Sequence, residues 1–317
     1  TLSEFGDNLP DFREFEKIIE FDGGEYRPPS HCLSFNAVVP VGEEDELESR
    51  NTDRYGFYIT DKYRRAKTAV IDEKKEKTRC SKWADMLSHW HSKATEKKLK
   101  ERIRKGIPNA MRAQAWPLLV NTEPWAKRYP VDMVSRMVVQ LDVKLIDEID
   151  RDVGRAFPSH QQFRREGSVG QQNLRRVLLW YAVVDPEVGY CQGMSFIVAT
   201  LLVYMDVDNA FHTFVAMMNQ PIHASALIRE LFLPKMARIQ QMMKVFSDLV
   251  ASHFPRISAH LKKHDVLTDM FVTPWFMTLY CRDFSFDLVA KIWDSFLNGD
   301  SKIIYRVGLA LLKVNRS

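Results

Sequence analysis

The chain lacks most of the features that announce chemistry directly. Its four cysteines, Cys32, Cys80, Cys191 and Cys281, are scattered, with no C-x-x-C pair and no histidine at ligand spacing. That argues against a zinc module or a disulfide framework and predicts a reduced, metal-free cytosolic protein. The nine histidines are dispersed as well; His89 and His91, two apart on an expected helix, point to different faces. The longest apolar run, 195–205, is too short to span a bilayer and suits a buried core helix. The first residues are polar and acidic, unlike a signal peptide. A net charge of +4 gives no bulk pull toward nucleic acid. There is no G-x-x-x-x-G-K-[ST] loop, no kinase-type glycine loop, no serine or cysteine nucleophile motif and no recognisable acid and base pair, so nothing is built to bind a nucleotide unaided. Internal repeats are absent, and strand-like alternation is confined to the neighbourhood of 34–41.

What remains is helical periodicity in an ordinary soluble composition, 45% hydrophobic and 27% charged. Val134, Val138, Leu141, Leu145, Ile149 and Val153 recur at three or four residues and predict one continuous buried helical face. Leu174, Val177, Leu178 and Tyr181 form a second set, ended by Asp185-Pro186. Residues 194–205 are apolar nearly all round and predict a central helix. Phe211, Phe214, Val215 and Met218 follow, then Ile239, Met242, Met243, Phe246, Leu249 and Val250. Pro255 and Pro274 are expected in first helical turns. Ser285 is expected to cap a helix through Leu288, Val289, Ile292 and Trp293, closed by Asn298-Gly299. The fold class is all-α.

The N-terminal 60 residues are harder to order. A helix is expected to open at Pro10-Asp11, followed by loop through Gly23-Gly24, Pro28-Pro29 and the acidic run Glu43-Glu44-Asp45-Glu46. Asp53-Arg54-Tyr55-Gly56-Phe57 is expected to act as a packing strap. Residues 62–105 hold sixteen Lys/Arg against six Asp/Glu. Trp83, Leu87 and Trp90 form an apolar stripe on the same segment, which favours a solvated helix face over a phosphate or lipid surface.

Two segments offer long polar side chains from rigid mounts. In IDRDVGR, Asp152 and Arg155 lie three apart beside the buried face, so the carboxylate can orient the guanidinium. Phe157-Pro158 is expected to stop the helix, leaving Arg155 in its last turn. In GYCQGM, Gly189 and Gly193 bracket Tyr190-Cys191-Gln192, and a glutamine in such a turn can donate and accept at once. Cys191 is expected to be a small apolar filler. Neither Arg155 nor Gln192 is a nucleophile or base, so the arrangement makes sense if the reacting phosphate belongs to another protein.

These residues resemble the TBC-domain activators of Rab GTPases. Ile149, Asp152 and Arg155 are similar to the family's I-x-x-D-x-x-R motif. Tyr190, Gln192 and Gly193 match its Y-x-Q-G motif, and Arg112 and Trp116 its opening R-x-x-x-W motif. The likeness runs from about residue 102 to 313 and implies many helices in two lobes. The implied divisions are 1–60 as a partly irregular extension, 61–101 as a basic helical lead-in, 102–220 as the lobe carrying both motifs, and 221–317 as a C-terminal lobe that family members usually continue by one or two more helices. The implied activity is acceleration of GTP hydrolysis on a GTP-bound Rab partner, with Arg155 as arginine finger and Gln192 as glutamine finger. Asp152 would then hold Arg155, and Tyr190 would shape the turn. GTP and Mg2+ would be carried by the partner, with no cofactor, metal or nucleic acid of the chain's own. Localisation would be cytoplasmic, reaching vesicle or organelle membranes in trafficking only through the Rab. The alternative is a helical scaffold that binds such a partner without activating it. His212 stands where many family members carry a tryptophan, a difference of packing. Arg112 and Trp116 are expected to pair internally.

Overall fold

The computed structural model describes residues 52–58, 73–219 and 228–315. The expected N-terminal helix, the possible strand near 34–41 and the division near 220 fall outside the described residues. Fourteen α-helices follow one another among those described. They are α1 (Glu73–Ser88), α2 (Lys93–Arg104), α3 (Arg112–Leu119), α4 (Glu123–Arg128), α5 (Val131–Met137), α6 (Val143–Val153), α7 (Val169–Val184), α8 (Met194–Tyr204), α9 (Val207–Asn219), α10 (Ala237–His253), α11 (Pro255–Lys263), α12 (Asp269–Met277), α13 (Phe286–Leu297) and α14 (Ile303–Val314). Short 3-10 turns occupy Asn109–Met111, Val138–Gln140 and Ile228–Leu231. Only isolated bridges, Thr52 to Tyr58 and Phe57 to His160, represent β pairing among the described residues.

The helix starts are chemically specified. Ser92, Asp142, Ser168 and Ser285 each accept a backbone N–H of the first turn, at the heads of α2, α6, α7 and α13. Each such cap stabilises its helix by about 1 kcal/mol. The apolar sets then determine the packing. Helix α7 buries Leu174, Val177, Leu178 and Tyr181 and lies against α5, α6, α8 and α9. Helix α8 is buried nearly all round, as its composition predicts. On α1, Trp83 is buried while Leu87 and Trp90 are partly so, which agrees with the solvated-face reading of the basic segment. His212 turns its Nε2 to the Tyr129 carbonyl oxygen at 3.0 Å and packs beside Phe211.

Three expectations need correction. The periodic stretch 131–153 is not one helix: it is α5, a 3-10 turn and α6, because Asp142 caps a new start by accepting from the Lys144 N–H at 2.7 Å. Helix α6 ends at Val153 with Gly154 as its C-cap. Arg155 therefore lies in the turn beyond the helix and not in its last turn. Pro274 sits inside α12 and not at its start; by contrast Pro255 does open α11.

Candidate functional site

The site is built where α6 runs out and where α8 begins. Ile149, fully buried, and Val153 anchor the end of α6 in the core. That leaves Asp152 on the shoulder of the helix with its side chain 8% exposed, and Arg155 in the turn with 44% exposed. Asp152 Oδ1 pairs with Arg155 Nη2. The other carboxylate oxygen, Oδ2, accepts the Tyr190 hydroxyl at 2.5 Å. One carboxylate thus joins the two segments singled out from the sequence. Burial first, then the hydrogen bond to Asp152 and its charge, push the Tyr190 hydroxyl pKa upward, so it stays protonated and donating at neutral pH.

Gln192 is exposed in the turn ahead of α8. Among the described residues its side chain has no hydrogen-bond partner. The turn itself is tightly determined: the Met194 N–H donates to the Cys191 carbonyl at 3.2 Å, and the Cys191 N–H reaches the Met194 sulfur at 3.1 Å. Gly193 has φ +108°, and a Cβ there would stand 3.3 Å from the Met277 carbonyl oxygen. Glycine is favoured by the dihedral, and the close approach of the backbone at the end of α12 adds to the demand. The Cys191 thiol pKa is pushed up by burial and then by Asp152. A protonated, half-buried thiol is a poor nucleophile, in keeping with a filler role.

Both mounts rest on shared aromatic packing. Phe157, at φ +46°, has left the right-handed helical region. Its ring contacts Phe196 of α8, Phe286 of α13 and Phe57, with centroids 5.5, 5.4 and 5.5 Å away. Phe57 belongs to the expected strap, which is observed. The Tyr55 hydroxyl donates to Asp287 Oδ1 at 2.7 Å, and Arg54 pairs with the same carboxylate. The Tyr58 N–H donates to the Ser159 carbonyl at 2.9 Å, and the Gln161 N–H to the Gly56 carbonyl at 2.9 Å.

Arg112 and Trp116 lie apart from this turn and are buried. Asp294 of α13 accepts Arg112 Nε at 3.1 Å, Arg112 Nη2 at 2.9 Å, Trp116 Nε1 at 2.9 Å and the Ile107 N–H at 2.9 Å. They tie α3 to α13 and do not face solvent, as expected, but each pairs with Asp294 and not with the other. Sequence reasoning missed Asp294 and Phe196, and saw Phe157 only as a helix stop and not as packing. Each acts through a distant partner, and none stands in a spacing that a single sequence exposes. Among the described residues no group of three or more His, Cys, Asp or Glu could hold a metal, and no helix is long and apolar enough to cross a membrane.

The Rab-GTPase-TBC domain family model matches residues 109–317. The chain belongs to this family. The chain is 34% identical over 237 residues to the human ecotropic viral integration site 5 protein homolog, covering 74% of this chain and 28% of that protein. It is 32% identical over 283 residues to human TBC1 domain family member 10B, covering 87% and 34% respectively. The chain therefore spans only a part of the length of these relatives. The crystal structure of the Chlamydomonas flagellar RabGAP TBC domain superposes with a TM-score of 0.68 at 26% identity, covering 84% of this chain and 86% of that one. The strap at 52–58, α1 and α2 all precede the residues that the family model matches.

Proposed function

We propose that the chain is a GTPase-activating protein for a Rab-type small GTPase and supplies two groups in trans, Arg155 and Gln192. The observation that carries this reading is the Asp152 carboxylate, which holds Arg155 with one oxygen and the Tyr190 hydroxyl with the other. An arginine and a glutamine are thereby presented to solvent from supports tied to one another. The relatives' names, Rab-GTPase-TBC domain and RabGAP TBC domain, point to the same class of partner.

In phosphoryl transfer the γ-phosphoryl loosens toward a metaphosphate-like species while charge builds on its oxygens and on the bridging oxygen. The guanidinium of Arg155 would donate to those oxygens, its orientation set beforehand by Asp152, so little is lost to reorganisation. The Gln192 side chain would accept a hydrogen bond from the attacking water through its amide oxygen and donate one to a γ oxygen through its NH2, fixing the water in line. GTP and Mg2+ come with the partner, and water adds to the γ-phosphorus as the bond to the GDP oxygen breaks. The chain would act in the cytoplasm and meet vesicle or organelle membranes through the Rab.

The test is complex formation with a GDP-loaded Rab in the presence and absence of aluminium fluoride, a mimic of the transferring phosphoryl group. An activator binds more tightly with the mimic, and Arg155→Ala should abolish the difference. Binding indifferent to the mimic would instead make the chain a scaffold.

A further inference from the structure

Arg229 lies in the 3-10 turn Ile228–Leu231, outside both motifs, and its guanidinium is committed to the loop that leads into Tyr190. Its Nε and Nη2 donate to Asp185 Oδ2 and Oδ1 at 2.6 and 2.8 Å, and Nη2 also reaches Glu187 at 2.6 Å. Asp185 is the C-cap of α7. Its carboxylate accepts in addition the Tyr181 hydroxyl at 2.8 Å and the Val188 N–H at 3.5 Å, and its carbonyl accepts the Gly189 N–H at 2.8 Å. The Arg229 and Asp185 side chains are 20% and 10% exposed. A bidentate pair so shielded is stronger and more rigid than a surface pair.

The turn bearing Gln192 consequently has three supports. Asp152 holds Tyr190 from α6, the backbone of Met277 lies under Gly193, and Arg229 fixes the loop's base from a segment more than thirty residues downstream. The first two were built from the motifs themselves. Without Arg229, the Asp185 carboxylate would keep only the Tyr181 hydroxyl and one long amide contact, and the five residues before Gln192 would lose their only ionic anchor among the described residues. Lysine could replace the charge but not the planar fork that engages both Asp185 oxygens while touching Glu187.

We infer that Arg229 is a positioning residue for Gln192, acting through the Asp185–Gly189 loop. This rests on the proposal that Gln192 works on the partner's nucleotide. The test compares wild type, Arg229→Met, Gln192→Ala and the double variant in single-turnover hydrolysis, using the GTP-loaded Rab that wild type stimulates best. Arg229→Met should lower the saturating rate by roughly tenfold or more, the scale of a small misplacement of a reacting group, with little change in the half-saturating concentration. Arg229→Lys should recover part of it. The double variant should be no slower than Gln192→Ala alone. Losses that multiply would show that Arg229 acts independently of Gln192 and overturn the inference.

Amide hydrogen exchange of 186–193 supplies a readout free of any GTPase. Faster exchange there in Arg229→Met, or in Arg229→Lys if the first variant does not fold, supports the clamp, and unchanged exchange removes it. If wild type stimulates no Rab, the proposed function fails on its own account while the exchange measurement still judges the clamp.

Discussion

At the level of single residues, Asp152 serves two partners at once. Replacing it by asparagine keeps the shape but removes the charge that orients Arg155 and one of two strong acceptors. The expected result is a fall in stimulated turnover of roughly tenfold or more, with the affinity for the Rab little changed, because orientation and not contact is lost. Tyr190→Phe removes the other hydrogen bond; since the acceptor is charged and nearly buried, folding stability should drop by about 1.5–3 kcal/mol, readable by urea unfolding. A Tyr190→Phe variant as stable as wild type would show that the bond contributes nothing. Arg155→Lys should recover little of an Arg155→Ala defect, since a point charge cannot reproduce the forked contact. Arg155, Asp152, Tyr190 and Gln192 could all be picked out from sequence because their spacing and flanking glycines are local. Their joint dependence on one carboxylate could not, since Asp152 and Tyr190 are separated by 38 residues.

At the scale of elements, the close approaches between helices decide what can change. Gly193→Ala would place a side chain at φ +108° against the Met277 carbonyl, so a loss of about 1–3 kcal/mol is expected, together with weaker stimulation as the Gln192 turn shifts. The Asp294 cluster is more costly to disturb. Asp294→Ala strands the Arg112 guanidinium in the core between α3 and α13, and breaking such a buried pair costs about 3–5 kcal/mol; thermal unfolding should register it while Arg155 and Gln192 stay chemically intact. Helix identities were legible where the apolar spacing and caps agreed, as at Ser285 with Leu288, Val289, Ile292 and Trp293. They were illegible where spacing continued through a break. Val138 and Leu141 keep the three-residue rhythm across the 3-10 turn, so only the Asp142 cap reveals that α6 starts afresh. Pro274 misled in the other direction, because α12 tolerates an internal proline within a packed bundle.

At the scale of the molecule, the strap at 52–58 joins residues that precede the matched TBC domain to the loop carrying Arg155, and His160 is its latch. A carbonyl can only accept, so His160 Nε2, 2.7 Å from the Tyr55 oxygen, carries the proton, while Nδ1 accepts the Gln162 N–H at 3.1 Å. Burial, outweighing the bond to Tyr55, lowers the His160 pKa from its ordinary 6.5. The unfolded chain then binds the proton more readily, so this contribution is full above about 6.5 and is lost as pH falls toward the depressed folded value. Between pH 7 and 5 the stability difference between wild type and His160→Gln should therefore shrink; a difference constant over that range would contradict the latch. Above all of this stands the claim that the chain completes a partner's active site with two of its own side chains. Single-turnover GTP hydrolysis across a panel of Rab proteins, with folded Arg155→Ala and Gln192→Ala variants beside wild type, tests it most directly. At least one Rab should be stimulated, and Arg155→Ala should lose roughly 10³-fold or more of that stimulation, with Gln192→Ala also impaired. A stimulated Rab on which either variant performs like wild type would contradict it.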